Sequence, residues 1–465
     1  MRSSFYTEDT ISAIATPPGR GAIGVIKISG EKSLEILRKI FKPFKPRLSF
    51  ESHKFYYGFI IDPETERPVD EVLVVYMKAP FSYTREDVVE IHAHSGYVNL
   101  RKILELVLKE GARPAQPGEF TLRAFLNGRI DLAQAEAIEE IISAKSERAL
   151  KLALNNLSGR LSEKINTLKE RLLYALAQVE SAIDFPEEDL EIMNPQELSQ
   201  LIKREIIPEI EKLINSYEEG KIYREGINLV ICGKPNVGKS SLMNALLREE
   251  RAIVTPIPGT TRDFLEEEAY LQGLPVKLID TAGLRETEDP VEKIGVERAF
   301  QKLKEADLVL FLVDVSEEPT MEIKHLYQRI QAYPHLVVFN KIDLIPNYLE
   351  EWRKTFFKYG GELIEISVKK ELNLDLLTQR IYEKIVSKRA TAVSEVMPNL
   401  RQKTSLEKAK RHLEDALKEL QKREPLPELV SIELRSAIGN LSEIIGEITT
   451  EDLLSEIFSR FCIGK

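Results

Sequence analysis

Residues 227–240 read Ile-Asn-Leu-Val-Ile-Cys-Gly-Lys-Pro-Asn-Val-Gly-Lys-Ser. The apolar run Ile227 to Cys232 predicts a strand and Ser241 to Leu247 a helix, and between them stands a full GxxxxGKS phosphate loop in the context that motif requires. In such a loop Gly233 and Gly238 let successive backbone N–H groups, those about Asn236 and Val237 among them, turn inward on phosphates. Lys239 brings a point charge to the β and γ phosphates, and Ser240 offers a hydroxyl to Mg²⁺. The helix that opens at Ser241 adds its positive dipole end.

The base is chosen further along. Asp280-Thr281-Ala282-Gly283 follows the strand-like Val276 to Ile279, where an acidic residue for Mg²⁺ and a γ-phosphate-sensing glycine are needed. Asn340-Lys341-Ile342-Asp343 closes another strand, Leu336 to Phe339. A carboxylate only accepts hydrogen bonds, so Asp343 can take the ring N–H and amino group of guanine and cannot do so for adenine. The nucleotide expected is GTP. Ser367-Val368-Lys369 ends the strand Leu363 to Ile366 and matches the loop that contacts the guanine oxygen, with Val368 in place of the usual alanine. Between the first two motifs, Thr255-Pro256-Ile257-Pro258-Gly259-Thr260-Thr261-Arg262-Asp263 reads as the switch segment, with Thr261 as a second Mg²⁺ ligand.

Leu284 stands where many GTPases carry the glutamine that orients the attacking water, and a leucine side chain cannot hold water. The acidic run Glu286, Glu288, Asp289 and Glu292 supplies candidates for that task, with Glu292 the one assigned here. Arg262 and Arg285 remain open to two readings, catalytic finger or solvated surface charge. A monovalent cation can do an arginine's work, and Asn236 with carbonyls of Thr255, Ile257 and Thr260 would give K⁺ its oxygen ligands.

GKPNVGKSSLMNAL, TPIPGTTRD, DTAGLRETEDPVEKIGVERA and FCIGK together resemble the MnmE (TrmE) family of tRNA-modification GTPases. The likeness extends to ATPPGRGAIGVIKISG and PGEFTLRAFLNGRIDLAQAEAI. It implies a multidomain fold. An α+β tetrahydrofolate-binding domain would occupy 1–120, an all-α helical domain 121–217 and 388–465, and an inserted α/β P-loop G domain of Ras-like type 218–387. It also implies a homodimer whose G domains meet across bound K⁺. With an FAD-dependent MnmG/GidA-type partner, the family installs an aminomethyl-type group on carbon five of a tRNA wobble uridine. The one-carbon donor is a methylene- or formyl-tetrahydrofolate. The resemblance places folate contacts at Glu90, Arg129 and Lys465. Lys27 stands where the family usually has arginine, and His94-Ser95-Gly96 replaces the common HGG.

The residues themselves agree with this organisation. Residues 1 to about 120 mix the strands Ala22 to Ile28, Phe55 to Ile61, Glu71 to Met77 and Asp87 to His94 with helices Lys32 to Phe41 and Tyr97 to Lys109. From Leu132 to Ala182 a stripe at Leu150, Leu154, Leu157, Leu161, Ile165, Leu168, Leu172, Ala175, Val179 and Ala182 steps by threes and fours until Asp184-Phe185-Pro186 breaks it. After the α/β segment the helical period returns, with Ala409, Leu413, Ala416 and Leu420 in one stripe and Leu434, Ile438, Leu441, Ile445 and Ile448 in another. His92 and His94 alternate on one strand face without a third ligand at metal spacing, and read as polar strand positions. Glu90 shares their face and can accept hydrogen bonds from a pterin.

A chain of 465 residues with 43% hydrophobic content holds about three domains by the usual prior. Two cysteines, Cys232 and Cys462, exclude a disulfide framework and suit a reducing cytosol, so a cytoplasmic location is expected. No stretch approaches the roughly 20 apolar residues of a membrane span. The net charge of −10 argues against an extended basic groove, so a tRNA would meet either a local basic patch or a partner that carries most phosphate contacts. Cys462 is expected to be exposed beside the folate pocket and to act in the one-carbon chemistry. The competing reading is a GTP-dependent ribosome-assembly or RNA-binding switch without one-carbon chemistry, which would need neither the folate contacts nor FCIGK.

Overall fold

The computed structural model describes residues 9–17, 19–45, 49–184, 194–249, 266–280, 302–344, 348–357, 362–386 and 395–465. Two compact units make up the chain. The first combines Met1–Glu139, Asn155–Ile210 and Thr404–Lys465, and the second combines Glu140–Leu154 with Glu211–Lys403. The chain thus leaves the first unit and returns to it twice.

In the first unit β1 (Ile11–Ile14), β2 (Ile23–Ser29), β3 (Phe41–Pro43), β4 (Lys54–Ile61), β5 (Pro68–Met77), β6 (Val88–His94) and β7 (Arg113–Pro114) form one sheet in the order β3-β4-β5-β6-β2-β1-β7. Its pairs are antiparallel except β1 with β7. Helices Ser33–Ile40 and Tyr97–Lys109 cover one face, and Ile26, Ile28 and Ile91 pack there with Ile36, Leu37, Ile103 and Val107. Because side chains alternate along a strand, Lys27, Glu90 and His92 are left on the opposite face, with Lys27 directly across from Glu90.

Beside β1 lies a network of buried and partly buried charges. Arg123, only 5% exposed, donates to Asp9 at 2.7 Å, to Glu86 at 3.1 Å and to Glu119 at 3.1 Å. Arg113 also binds Asp9, and it donates to Glu119 at 2.6 Å. Burial pushes the Glu119 carboxyl up, but Arg113, the Gln116 N–H and Arg123 together outweigh it and hold the group below its ordinary value. Arg123→Ala would strand these carboxylates, and we expect a loss of about 3–5 kcal/mol in urea unfolding at neutral pH. A depressed carboxyl stabilises the fold above its unfolded-state pKa and loses that contribution as pH falls through its folded-state pKa. The gap between wild type and variant should therefore narrow in acid.

The second unit carries β8 (Ile227–Cys232), β9 (Glu266–Leu271), β10 (Leu274–Asp280), β11 (Leu308–Asp314), β12 (His335–Asn340) and β13 (Leu363–Glu365) in the order β13-β12-β11-β8-β10-β9. All pairs are parallel except β9 with β10. Leu229 and Ile231 pack on one side with Leu242, Leu246, Leu377 and Ile381 from helices Lys239–Glu249 and Leu374–Val386. Val230 and Cys232 pack on the other with Tyr327, Trp352 and Phe356 from helices Met321–Ile330 and Leu349–Phe357. A strand covered on both faces reads as an unbroken apolar run, which is why no alternation shows in Ile227–Cys232.

The helical stripe of residues 150–182 is not continuous. Helix Glu147–Leu157 ends at Ser158-Gly159, where Gly159 has φ +91°, and a new helix runs Arg160–Asp184. Leu161, Ile165, Leu168, Leu172, Ala175 and Val179 are buried as the period requires, but Leu150 and Leu154 are 38% and 48% exposed. In the first helix Ala149, Leu152 and Ala153 are buried in their place. Leu434, Leu441 and Ile445 of helix Pro427–Ile445 are buried, while Ile448 lies beyond the helix end and is exposed. Among the described residues no helix is long and apolar enough to cross a membrane.

Candidate functional site

The phosphate loop leaves the C-terminal end of β8, with β10 and β11 on either side. Gly238 has φ +101°, and a Cβ there would sit 2.5 Å from Asn340 Nδ2, so both backbone shape and space demand glycine. Asn236 also takes a left-handed φ of 63° and is exposed. Lys239 is buried and donates to the carbonyls of Gly233 at 3.0 Å and Lys234 at 2.9 Å, curling the loop around its own ammonium. Burial lowers its pKa, against the pull of Asp280.

Ser240 Oγ donates to Asp280 Oδ2 at 3.2 Å. Asp280 Oδ1 is buried without a hydrogen-bond partner. A hydroxyl beside a carboxylate with a free buried oxygen is a donor set for a hard cation that keeps several waters, so these residues fit Mg²⁺. The remaining residues of the expected phosphate and cation machinery lie outside the described residues: Thr255, Ile257, Thr260, Thr261, Arg262, Thr281, Ala282, Gly283, Leu284 and Glu292. Asn236 is therefore the one expected K⁺ ligand that the structure places.

At the end of β12, Asn340 ties two loops together. Its Nδ2 donates to Val237 O at 2.8 Å, and its Oδ1 accepts from Val368 N at 3.1 Å. Ser367 Oγ donates to Asp343 Oδ1 at 2.6 Å, and this bond first, with Lys369 and Lys370 nearby, holds the Asp343 carboxyl below its ordinary range. Asp343 thus stays ionised and aimed. Lys341 pairs with Asp314 at the end of β11, a contact that motif reading does not reveal. A cavity of 690 Å³ joins these parts, lined by Asn236, Gly238, Ser241, Asn340, Lys341, Asp343, Val368 and Lys369, and also by Asn244, Arg248 and Glu371. Its size suits a nucleotide. Asn244 and Arg248 follow Ser241 at helical spacing, and that spacing was the available signal for them.

The first unit gathers a second group. Lys27 Nζ stands 4.0 Å from Glu90 Oε1 and 5.3 Å from the ring centroids of both Tyr83 and Phe120. Burial depresses its pKa, with Glu90 opposing the shift and Lys465 adding to it. Arg129 lies 4.7 Å over the Tyr83 ring and donates to Tyr83 O at 3.0 Å. The last residues dock here too, since Phe120 N donates to Lys465 O at 3.2 Å. Gly464, at φ +94°, passes so near Ala15 that a Cβ would fall 2.8 Å from its Cα. Cys462 is exposed, one turn away, with its carbonyl accepting from Lys465 N. The four expected folate residues are thus neighbours, joined by Tyr83 and Phe120, which no motif singled out. His94 pairs instead with Asp70 at 2.7 Å, and among the described residues no group of three or more His, Cys, Asp or Glu side chains could hold a metal ion.

The sheet, its phosphate loop and the loops at the ends of β12 and β13 make the second unit a P-loop domain of the GTPase class. Two family models match the chain, GTP-binding protein TrmE N-terminus over residues 10–129 and the MnmE helical domain over residues 132–462. Among its relatives, a protein of Desulforamulus reducens is 48% identical over 464 residues, covering 98% of this chain and 100% of its own length. One from Thermoanaerobacter pseudethanolicus is 48% identical over 463 residues, covering 98% and 99%, and one from Aquifex aeolicus 47% over 461, covering 98% and 100%. All three bear the name tRNA modification GTPase MnmE. The chain belongs to the MnmE family.

Proposed function

We propose that this chain hydrolyses GTP and uses the cycle to drive modification of the wobble uridine of tRNA at carbon five, drawing a one-carbon unit from a methylene- or formyl-tetrahydrofolate. Supporting this reading above all is the placement of Lys27 beside Glu90 and over the Tyr83 and Phe120 rings, of Arg129 over Tyr83 and of Lys465 against Phe120, in a chain whose relatives are named for tRNA modification. Glu90 would accept hydrogen bonds from the pterin amino group and ring N–H, and the Tyr83 and Phe120 rings would cover the flat ring system. Lys27 and Lys465 would meet carbonyl oxygens, and Arg129 the far end of the molecule. Cys462, exposed beside this cluster, would hold or move a proton there.

In the second unit Lys239 and the loop N–H groups would bind the triphosphate, with Ser240 and Thr261 on Mg²⁺. Asn236 with Thr255, Ile257 and Thr260 would hold K⁺, and Glu292 would orient water in place of the glutamine that Leu284 replaces. A homodimer in the cytoplasm, working with an FAD-dependent MnmG/GidA-type partner, completes the reading. Residues 218–387 would then serve as the G domain, 1–120 as the folate domain, and 121–217 with 388–465 as the helical link.

Tetrahydrofolate binding to the purified chain is the direct test, and a chain that binds none at millimolar concentration would be a GTP-dependent switch without one-carbon chemistry. For the hydrolytic half, turnover in KCl should exceed turnover in NaCl by on the order of 10-fold or more, as expected when a fitted cation stabilises transition-state charge. Equal rates in the two salts would remove K⁺ from the mechanism.

A further inference from the structure

Next to the Tyr83 cluster opens a second cavity, of 510 Å³, whose lining includes His53, Phe81, Tyr83, Arg85 and Arg129 and no acidic residue. That is unusual in a chain of net charge −10. Four guanidiniums of this unit, those of Arg101, Arg113, Arg123 and Arg460, pair with carboxylates. Arg85 and Arg129 do not: Arg85 donates to the carbonyl of Asn127 at 2.9 Å and Arg129 to that of Tyr83 at 3.0 Å. Each guanidinium has five N–H donors, so both retain donors for an anion. Arg85 is held at φ +60°, a left-handed conformation that non-glycine residues seldom adopt. Phe81 is 76% exposed at the same cavity and has no part in the core.

Tyr83 belongs to both places. Its ring faces Lys27 at 5.3 Å in the proposed pterin site and Arg129 at 4.7 Å in this cavity. A ligand running from one to the other would pass an aromatic stretch and then meet two unpaired guanidiniums. Folates have that order of parts, a pterin, a p-aminobenzoyl ring and then glutamate, to which further glutamates are added through their γ-carboxyls. Every added glutamate brings one more carboxylate, the group that arginine binds through two parallel hydrogen bonds.

We infer that this cavity is the subsite for the γ-linked glutamate tail, with Arg85 as its specificity-determining residue, so that the chain selects polyglutamylated folates. The inference rests on the folate reading given above. Isothermal titration of the full chain with 5-formyltetrahydrofolate carrying one or five glutamates separates the two. Wild type should bind the pentaglutamate about 10-fold tighter at low salt, with the preference shrinking as salt screens the contacts. Arg85→Gln should bring the ratio near one and leave the monoglutamate Kd unchanged, and Arg85→Lys should restore part of it. Equal affinities for the two forms in wild type, or a preference that survives Arg85→Gln, would overturn the subsite while the folate site stood. Binding of neither form would overturn both.

Discussion

Asp343→Asn should shift the nucleotide preference of this chain from GTP to xanthosine triphosphate. Asp343 lines the nucleotide cavity, and Ser367 Oγ fixes one of its oxygens at 2.6 Å. A carboxylate offers acceptors only, matching the two donors on the guanine edge. An amide offers one acceptor and one donor, matching xanthine, whose edge carries a carbonyl where guanine has its amino group. Ser367 can still donate to the amide oxygen, so the side chain should keep its place. A site built to satisfy buried hydrogen bonds rejects a mismatched partner by about 10⁴-fold in favourable cases. Competition between labelled GTP and XTP for the variant reads the result, and a variant that still prefers GTP would mean that this loop does not read the base.

The second large effect separates the two chemistries. Cys462→Ser should reduce wobble-uridine modification by on the order of 10²-fold or more, the scale of a lost general acid or base. GTP hydrolysis should stay close to the wild-type rate, because Cys462 and the phosphate loop lie in different compact units. Asp280→Ala should abolish both activities, since it removes a Mg²⁺-facing carboxylate and with it the cycle proposed to drive the folate site. Serine keeps the size and exposure of Cys462, so folding should not change, and unfolding curves of the two proteins should superimpose. Modification at the wild-type rate by Cys462→Ser would leave this cysteine without a chemical role.

The nucleotide site was legible because its working parts are local. A phosphate loop is a run of consecutive residues, and Gly233, Gly238, Lys239 and Ser240 stand where eight neighbouring letters place them. Strands buried on both faces announced themselves as apolar runs, and the helix Tyr97–Lys109 was bounded by its own periodicity. What escaped depends on distant pairs. Asn340 belongs to the motif that reads the base, and its amide joins Val237 to Val368. Asp314 and Lys341 meet only because β11 and β12 are adjacent. Tyr83 and Phe120 are ordinary aromatics until the chain brings Lys27 over both rings. The stripe from Leu150 onward misled because spacing by threes and fours persists across Ser158-Gly159, whereas the helix does not.

The docking of residues 462–465 against Ala15 and Phe120 also sets an order of events during synthesis. The seven-stranded sheet uses only early residues and can close while the ribosome is still translating the inserted unit. The contact of Phe120 with residue 465 has to wait for that late segment, so the nucleotide-binding unit can be finished before the surroundings of Lys27 and Phe120 are.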